Sequence, residues 1–510
     1  MKNKKIGFTL IELLAVIIVL AIIALIATPI IFNVIENAKI KSLENSCYGV
    51  IDAVRTKYAE ELLNLNKITN GNVNELTVSG EKPIDGTWTI DNSKDSEQRG
   101  IKIDNVRFSS MKDYACSNDL ETGKVSCKKT YKDNSSANTP ILFKNMVPIK
   151  YENNKWIIAD LGQKWYDYDA KEWANAVVLN SGVTKNVGDE VTEEDVALWY
   201  VWIPRYKYTI FNGNNESAAA QLINVTFESG TNRTGTVTCS DNADGSETCS
   251  TITNGTSTYT HPAFKFGNTE LTGFWVGKFE VSGSTSAITV KPNVTSLRSQ
   301  TVSSFFTAIQ NVKTTYGINN ADSHMLKNME WGAVAYLKQS KYGLGTTDIA
   351  VNDNTSYYTG GGQSDAYKTN VAQSTTGNIY GVYDMSGGAW EYVMGNVNNS
   401  SNAFYSSNAG FTTAPDAKYY DSYKYDSSSN TTHARGKLGD ATKETLATFG
   451  NTSGGWYSDY ASFPYSSSPW FFRGGYYSTG TGAGVFRFSN NGVSGGGSDG
   501  SARAVLTKTD

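Results

Sequence analysis

The sequence predicts an α+β chain: one long N-terminal helix, a small β head, and a larger α+β domain made mostly of short strands and loops. Three observations carry this. Residues 8–32 (FTLIELLAVIIVLAIIALIATPIIF) form an apolar run long enough to cross a bilayer as a helix. Beyond it, apolar residues recur at three- and four-residue spacing as far as Leu63, the period of one helical face. From about residue 205 onward Lys and Glu are sparse while Gly, Ser, Thr, Asn and Tyr abound, a composition that disfavours long helices.

The 510 residues correspond to about three domains at roughly 150 residues each. Only 18% of residues are charged and 39% are apolar, with 30 Tyr and 11 Trp, enough to bury sizeable cores and exclude disorder as the main state. Lys and Arg number 45 against 49 Asp and Glu, a net charge of −4. No basic stripe is present, so a nucleic-acid partner is not expected.

The first element is the N-terminal helix. A short basic leader, MKNKKIG, precedes the apolar run, which contains a carboxylate, Glu12, and is followed by no small-residue cleavage site. An ionisable group in hydrocarbon marks a partner or a function, and a removable secretory signal would carry the small-residue cleavage site that is missing here. The segment resembles the N-terminus of type IV prepilins and pseudopilins. The resemblance implies cleavage after Gly7 by a prepilin peptidase, N-methylation of Phe8, and retention of the helix. It also implies a membrane-inserted stage before assembly with other pilin subunits into a surface filament. Glu12 would pair with the Phe8 amine of a neighbouring subunit, removing two charges from lipid and setting the filament register. Pro29 lacks a backbone donor and is expected to kink or loosen the helix.

The remaining elements follow in order. The helix is expected over 8–65, ended by the turn formers of NKITNGN (66–72). A β head spans 66–130, with strand-like pieces LTVSG, GTWTID, GIKIDNVRF and KVSCKK between Gly, Asn and Asp turns. Residues 131–199 read as a linker (YKDNSSANTP) followed by Trp/Tyr-rich strands, and 200–510 as the larger domain, entered through YVWIPRYKYTIF. Cys116 with Cys127, and Cys239 with Cys249, each bracket a turn-rich segment. Two local disulfides are expected outside the membrane, leaving Cys47 on the long helix. The three histidines are scattered, so no metal or cofactor is expected.

Four segments of the larger domain carry a second resemblance: GFWVGKFEVS (273–282), MLKNMEWGAVAYL (325–337), NIYGVYDMSGGAWEYVMGN (378–396) and FFRGGYYSTGTGAGVFRFSNNGVSGGGSDGSARAVL (471–506). Together they resemble the formylglycine-generating-enzyme domain, a variant of the C-type lectin fold. The oxidase activity of that family implies a copper-binding cysteine pair after the RGG motif. No cysteine follows Cys249, and hydroxyls or glycines cannot replace soft thiolates; the chain is therefore not expected to be an enzyme. Asp384, Glu391 and Arg473 lie in core-like motifs and are expected to be buried and paired. Asp241, Asp244 and Glu247 fit an Asp-Gly hairpin turn better than an incomplete calcium loop.

Between Arg473 and Leu506 the chain uses Gly, Ser, Asn, Tyr, Thr, Phe, Ala, Val, Arg and Asp, without Lys, Glu, Gln, Met or Trp. That usage resembles the variable ligand-binding proteins of diversity-generating retroelements, apart from its SARAVL ending. Tyr, Ser, Gly, Asn and Arg are also the palette of paratopes. The candidate binding face comprises Tyr476, Tyr477, Ser478, Thr479, Thr481, Phe486, Arg487, Phe488, Asn490, Asn491, Val493, Ser494 and Asp499, with strand alternation allowing only part of 485–489 to face outward. The expectation is a type IV pilus subunit at the cell surface, displaying an adhesin-like module for an unknown protein or glycan. The alternative is a structural filament subunit without a specific ligand.

Overall fold

A computed structural model describes residues 10–63, 70–90, 100–214, 216–318, 320–398, 409–427, 435–450, 454–491 and 497–509. It divides into two compact units, Met1–Lys129 and Thr130–Asp510. Both combine helix and sheet, so the chain is α+β.

In the smaller unit one helix runs from Leu10 to Leu63 and passes Pro29 without interruption. Its N-terminal half leaves Leu14, Val16, Ile17, Ile18, Val19, Ile31, Val34 and Ile35 exposed, Leu14 at 58%. Further along, Leu43, Cys47, Val50 and Val54 recur at four, three and four residues and are buried, forming the stripe that an amphipathic helix presents to a sheet. They share a core with Trp88, Ile103, Val106 and Val125. The sheet has five strands in sequence order, Asn70–Asn72, Pro83–Ile90, Ile101–Phe108, Tyr114–Asn118 and Val125–Lys129. Gly86 sits at φ +119°, where a Cβ would lie 2.7 Å from the Val106 Cα. The pairing shifts register beside it, and such a bulge needs glycine there.

Two expectations for this unit are corrected. LTVSG is not a strand; a 3-10 turn at Val73–Glu75 precedes it, and Leu76 is buried as an apolar plug. Part of the expected helix-ending turn, Asn70–Asn72, is instead the edge strand. Cys116 and Cys127 lie directly opposite on neighbouring strands and are bonded. Cys47 is a free, buried thiol.

The larger unit is built on an eight-stranded sheet in the spatial order Ala321–Met325, Ala504–Lys508, Gly273–Gly277, Val196–Pro204, Asn175–Leu179, Met146–Glu152, Lys155–Ile158, Glu190–Val191. All nine residues of Val196–Pro204 are buried. Because side chains alternate between faces, this sheet is covered on both sides. The linker expectation for 131–140 is therefore corrected. Asp133, Ser135, Ala137 and Asn138 are buried, and Asn138 Nδ2 donates to the carbonyls of Glu228, Gly230 and Thr272. Residues 146–191 supply four strands of the main sheet and are not a connector.

Several buried charges in this unit are paired with opposite charges. Arg205 Nε lies 2.9 Å from Glu228 Oε2, and Arg503 forks onto both oxygens of Glu391. The helix Asn328–Lys338 is buried throughout. Its Glu330 accepts from Lys327 N and from His324 Nε2, while His324 Nδ1 meets Asp322. Burial opposes the charged ring, but the two carboxylates outweigh it and raise the His324 pKa.

Candidate functional site: an aromatic and arginine face

The C-terminal region forms a second sheet. The strand Trp390–Asn398 pairs on one edge with Asp421–Lys424 and Gly500–Ala502, and on the other with Trp470–Gly474, which pairs in turn with Gly484–Asn491. Register fixes the faces. Tyr392 is opposite Phe472, which is opposite Ser489, and cross-strand partners share a face. With period-two alternation, Trp390, Tyr392, Phe472, Arg487 and Ser489 lie on one face. Glu391, Phe471, Arg473, Phe486, Phe488 and Asn490 lie on the other.

That division corrects the candidate list. Phe486 and Phe488 are fully buried. Phe486 packs 5.1 Å from the Trp456 ring and Phe488 packs on Phe463 and Phe471. Asn490 also points inward, its Nδ2 donating to Ser462 Oγ at 2.6 Å. Phe486 and Phe488 are core residues, and Asn490 is half-buried on the same inner face. Val493 and Ser494 lie outside the described residues, as does the Asn491 side chain.

The other candidates converge. Gly474 and Gly475, at φ +77° and +85°, turn the chain at the strand end. A Cβ on Gly475 would meet Ala483 at 2.9 Å, so the turn needs a residue without one. The turn presents Tyr476 and Tyr477, both half-buried. Tyr476 N donates to Thr479 Oγ1 at 3.0 Å, and Tyr477 N donates to Gly388 O at 2.9 Å. Ser478 and Thr481 are exposed. The Tyr476 ring is stacked 5.9 Å from Trp390, the Tyr477 ring meets Tyr476 edge-on at 5.2 Å, and Tyr357 meets Tyr477 edge-on at 4.9 Å.

An arginine closes each end of this run. Arg298 lies 3.8 Å over Tyr357; Arg487 lies 4.4 Å from the Trp390 centroid and 4.8 Å from that of Tyr460. Burial lowers the Arg487 pKa to about 10, so it remains a cation at neutral pH. Asp499 is half-buried, and its carbonyl accepts from Trp390 N at 2.8 Å. Offset and edge-on rings with cations on their faces form a rigid, amphipathic surface.

Arg298, Tyr357, Trp390, Tyr460 and Ser489 were not on the candidate list. Ser489 was available from alternation with Arg487. Trp390 was visible as a large aromatic, but its motif reads as core. Arg298 and Tyr357 come from distant segments and carry no local signal.

Asp384, Glu391 and Arg473 are buried beneath this region. Asp384 Oδ1 accepts from Asn352 Nδ2 and Gly360 N, and Arg473 donates to Asn328 Oδ1 and to the carbonyls of Ala441 and Asp440. Among the described residues, the groupings with metal-ligand geometry are Cys47–Cys116–Cys127 and Cys239–Glu247–Cys249. Each contains a disulfide, which removes two of its three ligands as thiolates. Asp241 pairs with Lys437, and Asp244 closes a turn onto Ser246, within the Cys239–Cys249 hairpin.

At the N-terminus, Gly7 and Phe8 lie outside the described residues, as do the Glu12 and Pro29 side chains. Among the described residues no helix is long and apolar enough to cross a membrane; most side chains of the apolar run fall outside that set.

Residues 2–28 match the prokaryotic N-terminal methylation motif. The Prepilin peptidase-dependent protein A of Clostridium perfringens is 32% identical over 116 residues, covering 21% of this chain and 83% of its own length. Among solved structures, a Major Tropism Determinant U1 Variant aligns at 12% identity over 87% of this chain and 84% of its own, with a TM-score of 0.24. That score is too low for a shared fold to be argued from it.

Proposed function

The chain belongs to the family of prepilin peptidase-dependent proteins, and on that premise we propose that it is a type IV pilus subunit whose larger unit binds a ligand at the cell surface. In this reading a prepilin peptidase cuts after Gly7, Phe8 becomes the methylated N-terminus, and the helix assembles with other pilins after a membrane-inserted stage. The exposed apolar residues from Leu14 to Ile35 support a partner along that part of the helix, because apolar patches of this kind mark interaction surfaces. The larger unit is a C-type-lectin-like module resembling the formylglycine-generating-enzyme domain. It is a binding module and not an enzyme: no cysteine follows its RGG motif, and the charged groups of its core motifs are engaged in hydrogen bonds and ion pairs.

The observation that carries the ligand reading is the half-buried run of rings from Tyr357 through Tyr477 and Tyr476 to Trp390, closed by Arg298 and Arg487. Tyr, Trp and Arg dominate binding hot spots because they supply large contact area at low entropic cost. The test is binding of purified, peptidase-processed filaments to arrays of surface proteins and glycans. Retained partners are expected to lose about tenfold or more in affinity when Tyr476 and Tyr477 are both changed to Ser. Identical array profiles for parent and double variant would leave a structural filament subunit.

A further inference from the structure

We propose that the aromatic and arginine face is an acceptor site for carboxylates, so that the partner is an acidic protein segment whose Asp and Glu side chains dock on Arg298 and Arg487. This rests on the ligand-binding reading above and adds the chemistry of the ligand.

The two arginines share one arrangement. Each guanidinium lies over a ring, Arg298 over Tyr357 and Arg487 over Trp390. Each uses Nη1 to donate to a backbone carbonyl, Ser498 O for Arg298 and Gly482 O for Arg487. Each keeps a buried Nε that has no partner among the described residues. With the faces stacked and Nη1 taken, what remains is the Nε–Nη2 edge, whose Nε is closed to solvent until an incoming carboxylate displaces what covers it. A planar carboxylate matches that edge with two parallel N–H···O bonds.

Arg205 and Arg503 show the contrast, since each finds its carboxylate inside the fold, on Glu228 and Glu391. Arg487 is only 7% exposed, and a buried cation with an unmet edge is destabilising until something takes that edge. Asp459 is the acid that acts on Arg487 from within the fold. Its Oδ2 accepts from Phe486 N, it makes no hydrogen bond to Arg487 among the described residues, and burial holds its carboxyl well above the usual range. Tyr476 and Tyr477 lie between the two arginines along the run and give the apolar floor against which a peptide chain packs. Trp390 and Tyr476 already stack on each other, which leaves less free ring face for a flat sugar and favours a polypeptide.

The test is selection of a random-peptide display library on the immobilised full-length chain. Selected peptides are expected to be enriched in Asp and Glu, and replacing those acids by Asn and Gln should weaken binding by about tenfold. Arg298→Lys and Arg487→Lys keep the charge but lose the planar fork, and each should weaken binding by a similar factor. Asp499→Asn, which removes a neighbouring negative charge, should tighten binding. Melting curves establish that each variant is folded. If Arg487→Lys melts early, the half-buried Arg298 carries the test.

Binders that lose affinity with Tyr477→Ser but show no acidic enrichment would overturn the carboxylate proposal and leave the ligand-binding reading standing. An absence of binders, or binders indifferent to both tyrosines and both arginines, would overturn both.

Discussion

Glu444 concentrates the electrostatics of the larger unit in one side chain. It is fully buried, and its Oε2 accepts from Tyr208 OH, Tyr336 OH and Gly439 N at 2.8 Å each. Its Oε1 has no partner among the described residues. Burial dominates these bonds and raises its pKa from 4.5 to about 7; Glu247 is raised to about 7 for the same first reason. A carboxyl raised on folding is protonated in both states below pH 4.5. Between 4.5 and 7 the unfolded chain releases its proton more readily, so stability falls across that window and then levels. His324 acts in the same direction, because its pKa is raised in the fold. Its contribution is full below 6.5 and is lost as pH climbs through the folded value. Asp322 and Glu330 are lowered and act oppositely, but only as pH falls through their folded values below the ordinary carboxylate range. His261 opposes this trend, because burial lowers its pKa from 6.5 to about 3 and its neutral ring costs stability as pH falls below 6.5. Glu444, Glu247 and His324 together outweigh it, so the larger unit is expected to resist urea better near pH 5 than near pH 8. Glu444→Gln keeps an acceptor for the two hydroxyls and should remove up to about 3 kcal/mol of that difference. A variant with the full pH difference intact would show that Glu444 is ionised in the fold. At this scale the sequence was informative for Asp384, Glu391 and Arg473, since charges inside apolar motifs must be satisfied. It was silent on Glu444, whose two hydroxyl partners, Tyr208 and Tyr336, come from distant segments.

At the scale of elements, the strand Gly484–Asn491 puts Phe486, Phe488 and Asn490 on its packed side and Arg487 and Ser489 on the face proposed for binding. Asn490→Ala removes the bond to Ser462 on the inner face and is expected to cost about 1 kcal/mol of stability, with ligand affinity unchanged. Ser489→Ala should do the reverse, with stability within about 0.5 kcal/mol of the parent and affinity altered. Denaturation and binding measured on both variants check the pair, and equal effects on the two readouts would mean the strand is not divided this way. The alternation itself is legible in VFRFSN. What is not legible is which parity faces outward, because period two defines two faces without ranking them. The same distinction explains the other differences. The composition of YKDNSSANTP correctly signals no regular element, but composition does not report packing, and one amide, Asn138, holds that segment through three carbonyls. LTVSG has strand propensity but pairs with no strand among the described residues, and Leu76 is buried without a ladder. The hairpin closed by Cys239 and Cys249 makes a further case. Gly245, at φ +83°, lies where a Cβ would be 2.5 Å from the Tyr423 carbonyl carbon. Gly245→Ala should separate this hairpin from Asp421–Lys424, read as faster proteolysis between residues 421 and 443.

For the whole molecule, the decisive fact is that the two units have separate cores. The smaller is assembled from residues between Leu43 and Cys127 and the larger from Ala137 onward, with no residue in common. Each also has its own disulfide, closing segments of 11 and 10 residues and worth about 2–3 kcal/mol. Chain segments with their own core and cross-link unfold as separate cooperative units. Calorimetry of the full chain is therefore expected to show two transitions. The fragment Thr130–Asp510 should reproduce one of them at the same temperature, and replacing Cys239 and Cys249 by Ser should shift that transition alone. Function should divide along the same line. The long helix and its apolar residues belong to the smaller unit, while every residue of the aromatic and arginine face belongs to the larger. The fragment should thus bind any ligand of the filament with the affinity of a single subunit and compete with it in solution, yet form no filaments. A fragment that melts well below both transitions of the full chain, or fails to compete, would mean that the larger unit depends on the smaller one and that the face is completed only in the assembled pilus.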